Sequence, residues 1–245
     1  NVEQCVYKER IQRFKEIITN IDILIFQDSY APIEFFLDYV DKSKTQVIIV
    51  EHNTPDCFLL SYCDALQKYK WYSIPGILRR AKFPYNYSKI LFSIKRRHKF
   101  LIERADKYVL LSEEYKHIIN KKLNIKNINN VYSIPNPVKS IEHISNSVLA
   151  NKDKEALFVG RLTSQKGIKY LLEIWKKFSE KFHDVKLTII GDGELREYVE
   201  DRIKKDGINN IFLEGFQTDT RKYYRRSSIF LMTSVYEGFA LVLLE

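Results

Sequence analysis

Cysteine is scarce and in odd number: Cys5, Cys57 and Cys63, with no C-x-x-C pair among them. That excludes a disulfide framework and a zinc site of the usual spacing, and it fits a reducing cytoplasm. Six prolines and eight glycines leave no low-complexity tract. The apolar runs Val47–Val50 and Ala240–Leu244 are core-sized and far short of a membrane span. The first residue, Asn1, is followed by no signal-peptide pattern. Two Asp residues never stand one position apart, so a D-x-D metal–diphosphate site is not predicted. A G-x-S-x-G elbow for acyl chemistry and a G-x-x-x-x-G-K-[ST] phosphate loop are absent too. Nothing in the sequence calls for a metal, and no cofactor is expected.

What is present is a globular composition, 45% hydrophobic and 29% charged, long enough for one large or two ordinary domains. The net charge of +9 is uneven: residues 1–145 hold 23 Lys and Arg against 16 acids, residues 146–245 hold 17 against 15. Between Arg79 and Lys99 there are eight cations and no acid, interleaved with Phe83, Tyr85, Tyr87, Ile90, Leu91, Phe92 and Ile94. A stretch of this kind suits an anionic membrane surface. Nucleic acid would suit its charge as well, but no nucleic-acid-binding motif accompanies it, and none is expected as a partner.

Apolar periodicity predicts an amphipathic helix over 6–20, strands at 21–26 and 46–50 with a helix over 33–40 between them, and long helical material over 58–104. Strands follow at 107–111 and 131–134, with Ser112 placed to cap a helix between them. The irregular polar stretch Lys139–Lys154 is the predicted boundary between a domain of residues 1–145 and one of residues 146–245. Beyond it, strands at 156–159, 186–190, 210–213 and 229–232 alternate with helices, the first carrying Ile168, Leu171, Leu172, Trp175, Phe178 and Phe182 on one side. Such alternation predicts two doubly wound α/β domains with parallel sheets.

Four stretches could carry chemistry. In Gly160-Arg161…Lys166-Gly167, two cations flank a helix start, and helix amides with guanidinium and ammonium groups would receive an anion such as a diphosphate. Gly191-Asp192-Gly193 follows a strand, and alone it reads as a tight turn. In the closing stretch a strand stops at Thr233-Ser234, then Glu237, Gly238 and an apolar helix reach Glu245. On an ideal helix Glu237 and Glu245 would be about 12 Å apart, too far to share one atom, so they would grip two ends of a long ligand. His52 ends a strand of the first domain, where it would face the cleft between the domains and donate to a hydroxyl or a developing charge. His98, His117, His143 and His183 read as surface residues. The chain stops inside the last helical element, which predicts a fragment.

Read together, Phe158-Val-Gly-Arg-Leu162 with Lys166-Gly167, Ile189-Ile-Gly-Asp-Gly-Glu-Leu195, Glu214-Gly-Phe216 and Glu237-x7-Glu245 resemble the retaining glycosyltransferases of family 4. Glu51-His-Asn53, Ala105-Asp106 with Leu111-Ser112, and Ile134-Pro-Asn-Pro-Val138 fit the same family. The resemblance implies a GT-B fold, two Rossmann-like domains facing across a cleft, here truncated at both ends. It implies metal-independent, retaining transfer of a sugar from a UDP- or GDP-linked donor to a saccharide or lipid-linked acceptor, in polysaccharide or lipopolysaccharide biosynthesis. Arg161 and Lys166 would neutralise the diphosphate, and Glu237 would hold the donor sugar. The amides of Gly238, Phe239, Ala240 and Leu241 would meet sugar or phosphate, with Gly193 at the same edge. Glu245 would hold the ribose, Gly215 and Phe216 the base, and His52 would lie at the reacting centre. Ala240 stands where the family often has glycine. The family's glycine-rich loop near the N-terminus has no counterpart after Asn1, so the fragment alone is not expected to turn over. The alternative is a sugar-nucleotide-binding or regulatory subunit of the same fold. The expected location is the cytoplasm, peripheral on the inner face of the membrane.

Overall fold

The computed structural model describes residues 2–27, 33–67, 69–138 and 151–244. Contacts divide the chain into two compact units, Asn1–Asn136 and Pro137–Glu245. The division falls ahead of the stretch predicted as the boundary, of which 139–150 lie outside the described residues.

The first unit is a parallel sheet in the order β1-β2-β3-β4, formed by Ile23–Phe26, Gln46–Glu51, Lys107–Leu110 and Val131–Ser133. Val47 and Ile49 of β2 and Tyr108 and Leu110 of β3 are fully buried, as strands covered on both faces require. β1 at the edge differs: Ile23 and Ile25 are 52% and 50% exposed. Helix α1 (Val2–Ile18), predicted over 6–20, turns Ile18 inward and leaves Ile17 exposed. The predicted helix over 33–40 contracts to the single turn α2 (Glu34–Leu37).

The long helical stretch is three helices, α3 (Cys57–Gln67), α4 (Ile74–Ala81) and α5 (Phe83–Arg104). Cap chemistry sets the breaks: the Ser73 hydroxyl accepts from the Gly76 amide, and Pro75 and Pro84 sit in the first turns of α4 and α5. Ser112 caps α6 (Glu113–His117) by accepting from the Glu114 amide, and a π-helical turn, Ile118–Lys122, continues it.

One histidine departs from its expected place. His98 lies on the inner face of α5 with Ile94 and Leu101 and is 2% exposed. Its Nε2 is 3.3 Å from the carboxylate of fully buried Glu51, which also accepts from the Tyr108 hydroxyl at 2.8 Å. The spacing 94-98-101-102 is helical, so burial follows from position on the face, against the surrounding run of cations.

The second unit alternates β5 (Asp153–Val159), α7 (Ile168–Ser179), β6 (Lys186–Ile190), α8 (Arg196–Asp206), β7 (Ile211–Gly215), α9 (Arg221–Arg226) and β8 (Ser227–Phe230). All pairings are parallel, in the order β7-β6-β5-β8. The predicted stripe Ile168, Leu171, Leu172 and Trp175 is buried against Ala156, Phe158, Leu187 and Ile189, while Phe182 lies beyond the helix and is half exposed. Beside β8, Arg226 grips the buried Glu155 carboxylate through Nε and Nη2, both at 2.9 Å. Hydrogen bonding to Glu155 raises the Arg226 pKa from its ordinary value.

The predicted helix of the closing stretch does not form among the described residues. Residues 231–240 are irregular, and Leu241–Leu243 is a 3-10 turn whose bonds run Leu243 N to Ala240 O and Leu244 N to Leu241 O. A single turn with three-residue bonding has not met the cost of nucleating an α-helix. The helical spacing assumed for Glu237 and Glu245 therefore does not apply, and Glu245 lies outside the described residues.

Candidate functional site

In the second sheet the chain steps outward from β5 through β6 to β7, then returns to the far side of β5 with β8. The loops after β5 and β8 meet at this reversal of strand order, the kind of place where open α/β sheets bind ligands. Arg161 and Lys166 lie on the first loop and Glu237 on the second. Topology alone brings together residues that are 71 or more positions apart.

Hydrogen bonds hold the two loops in register. The Val235 amide donates to Gln165 O at 2.8 Å, the Thr233 hydroxyl to Lys166 O at 3.0 Å, and the Gln165 side-chain amide to Tyr236 O at 3.4 Å. Gly167 closes the seam. Its φ is 65°, and a Cβ there would stand 1.8 Å from Thr233 O, so both conformation and space require glycine. Immediately afterwards α7 begins, so its first amides follow directly on the seam.

Within this frame Lys166 Nζ is 2.7 Å from Glu237 Oε1, with the two side chains 23% and 20% exposed. The groups expected to face a diphosphate and a sugar are thus paired with each other. Arg161 is exposed, and among the described residues it has no ion-pair partner. One cation of this loop is free to meet an anion, and the other is paired with a carboxylate.

The neighbouring loops are interlocked more tightly than a surface turn needs to be. Gly191, at φ 130°, lies so close to Gly160 that a Cβ would be 2.0 Å from its carbonyl oxygen. A Cβ on Gly193 would stand 2.7 Å from Leu162 O, and the Gly193 amide donates to Asp192 Oδ1 at 2.7 Å. Gly193 therefore fits β6's loop against β5's loop, and its amide is already engaged. Gly215, at φ 66°, accepts from the Gly191 amide, and Phe216 beyond it is 74% exposed. Sequence reasoning passed over Arg196, which bonds Asp192 and Glu200 at 3.1 and 3.0 Å and reaches Gly215. Its four-residue spacing to Glu200 on α8, with Asp192 four residues earlier in the loop, is the signal that could have found it.

At the closing stretch Gly238 is buried and Phe239 and Ala240 are half-buried. The Leu241 amide donates to Phe239 O at 2.8 Å, so it is used within the turn. Among the described residues the amides of Phe239 and Ala240 have no protein acceptor, as an anion cradle requires. Ala240 has φ −74°, an ordinary value that needs no glycine. His52, in the first unit, follows β2 exposed, its Nε2 3.0 Å from the Gln27 side-chain oxygen. Among the described residues no three His, Cys, Asp or Glu side chains gather as a metal site would need.

Residues 140–245 match the family model described as glycosyl transferases group 1. An uncharacterized glycosyltransferase of Methanocaldococcus jannaschii is 31% identical over 172 residues, 65% of this chain and 41% of that protein. The amylovoran biosynthesis glycosyltransferase of Erwinia amylovora is 35% identical over 148 residues, 58% of this chain and 40% of that protein. The chain thus spans about two fifths of the length of these relatives. Among solved structures, a mutant of Staphylococcus aureus TarM in complex with fondaparinux, alpha-GlcNAc-glycerol and UDP aligns with a TM-score of 0.62 at 19% identity, covering 93% of this chain and 40% of that one. The α/β fold is that of the GT-B glycosyltransferases, with two Rossmann-like halves.

Proposed function

We propose that the protein, whose residues 140–245 match the family model described as glycosyl transferases group 1, transfers a sugar from a nucleotide-sugar to a saccharide or lipid-linked acceptor in the building of a cell-surface polysaccharide or lipopolysaccharide. The observation that supports this reading is the Lys166–Glu237 ion pair between the loops after β5 and β8, with Arg161 exposed on the first of those loops. A diphosphate entering there meets the free Arg161 and competes with Glu237 for Lys166. Once displaced, Glu237 turns to the donor's sugar hydroxyls, so one exchange of partners both neutralises the leaving group and orients the sugar. As the bond to the anomeric carbon breaks, two cations and the α7 amides stabilise the charge that develops on the diphosphate. The amides of Phe239 and Ala240 add donors from the other side. Retention of configuration, independence from metal, Glu245 on the ribose, Gly215 and Phe216 at the base and His52 at the reacting centre belong to the same proposal.

UDP, which the Staphylococcus aureus neighbour holds, is the first nucleotide to test, and GDP the second. Calorimetric titration should give binding that Arg161→Ala weakens about tenfold or more, since a charge-assisted bond contributes roughly 1.5–3 kcal/mol. The melting temperature should hardly move, because Arg161 is exposed. Unchanged nucleotide affinity in Arg161→Ala would overturn the assignment. Release of nucleoside diphosphate from UDP- or GDP-sugars by the full-length protein separates a transferase from a subunit that only binds. The proposal includes a cytoplasmic site of action against the inner face of the membrane, with the basic stretch 79–99 resting on anionic lipid.

A further inference from the structure

Helix α4 is turned inside out. Ile74, Ile77 and Leu78 fall at i, i+3 and i+4, the stripe that ordinarily faces a core. Here they are 75%, 54% and 56% exposed, and the one buried residue of the helix is Gly76, against the Lys70 carbonyl. Trp71 and Tyr72 lead into the helix in edge-to-face contact at 5.7 Å, 72% and 61% exposed, and Tyr85 follows at 71%. These side chains form the densest outward-facing group of large apolar residues along the described sequence.

Charge identifies what covers them. Residues 65–102 hold ten Lys and Arg and no Asp or Glu, so this stretch carries +10 while the whole chain carries +9. Everything outside it is close to neutral. The cations flank the apolar stripe: Arg79 lies over the Tyr69 ring at 4.2 Å, Arg80 donates to the Tyr69 and Gly76 carbonyls, and Lys82 closes the helix. Trp and Tyr favour the boundary between headgroups and hydrocarbon. A short helix with an apolar stripe and flanking cations lies in that plane, held by both forces. A second copy of this chain would oppose one +10 stretch with another, which like charge disfavours.

We infer that α4, with Trp71, Tyr72 and Tyr85, inserts into the interfacial layer of an anionic bilayer and anchors the first unit there. The inference rests on the membrane contact proposed for 79–99 and moves its centre: the apolar face of 71–85 enters the lipid, and the cations from 79 onward hold the headgroups. Sugar transfer is not assumed.

The test uses the full chain with phosphatidylglycerol–phosphatidylcholine vesicles and with pure phosphatidylcholine. Of the two tryptophans, Trp175 is 2% exposed and Trp71 is 72% exposed, so a blue shift of emission on vesicle addition reports Trp71. Expected are co-sedimentation with the anionic vesicles only, a blue shift that Trp71→Phe removes, and binding weakened about tenfold or more in the triple variant Ile74→Ser, Ile77→Ser, Leu78→Ser. The near-ultraviolet dichroism of that variant should be unchanged, since the replaced side chains face solvent. Full binding by the triple variant without a blue shift would overturn insertion and leave the electrostatic contact standing. No binding to anionic vesicles overturns both. A concentration-dependent dimer in sedimentation velocity, abolished by the triple variant, assigns the face to a second copy and overturns the inference.

Discussion

Gly167 and Gly207 have nearly the same left-handed backbone, φ 65° and φ 60°, and differ in what stands before them. A Cβ on Gly207, which ends α8, meets nothing within 4 Å, whereas on Gly167 it runs into Thr233 O. Gly207→Ala should therefore cost only the conformational term, about 1–2 kcal/mol. Gly167→Ala adds a backbone clash that can be relieved only by parting the loops after β5 and β8, so its loss should exceed that of Gly207→Ala by at least about 1–3 kcal/mol. Urea denaturation of the two variants checks this, and equal losses would contradict the seam described between residues 165–167 and 233–237. The same residues show what the sequence discloses at this scale. Arg161, Lys166 and Glu237 stand out by charge beside glycine. That Lys166 is held by Glu237 does not, because no local pattern records a pairing across 71 positions. His98 failed for the opposite reason: its neighbours Lys95, Arg96, Arg97 and Lys99 mask the helical spacing that buries it.

Elements were legible where period and caps agreed. The helix after Gly167 and the strand 186–190 follow the predicted apolar pattern, and Ser112 caps where it was expected to. In the closing stretch an apolar run bounded by two glutamates has the composition of a helix, yet its bonds among the described residues are those of short turns, and only 233–237 ahead of it is tied to the β5 loop. α4 shows the limit of periodicity, since a stripe reveals a face and not what the face meets. Between β5 and the approach to β6, the hydrogen bond from Lys154 holds the Asp184 carboxyl below its ordinary pKa. A carboxyl lower in the folded chain than in the unfolded one contributes stability above the unfolded pKa and loses it as pH falls through the folded one. Lys154→Met should move the Asp184 titration, followed by carboxyl NMR, upward toward the usual range. An unmoved midpoint would show that Lys154 is not the cause.

For the whole molecule, alternation of strand and helix was enough to predict two parallel α/β units, because βαβ connections leave few other arrangements. The strand order was not legible, and it is the order that makes the site: without the return of β8 to the far side of β5, Glu237 would not reach Lys166. Charge behaves in a comparable way. The net value is modest, yet one stretch carries all of it, with the rest of the chain summing to about zero, so adhesion to anionic surfaces should depend on 65–102 and be indifferent to the rest.

β1 carries a liability of another kind. Its outer edge ends the first sheet among the described residues, it is uncharged over Ile23–Phe26, and it shows two isoleucines to solvent. Such an edge is a template on which a strand from another molecule can add, and lysine on it is the usual natural guard. In concentrated solution, association through this edge should compete with every assay above. Ile23→Lys with Ile25→Thr should reduce light scattering at high protein concentration while leaving nucleotide affinity as it was, and undiminished scattering would place the sticky surface elsewhere.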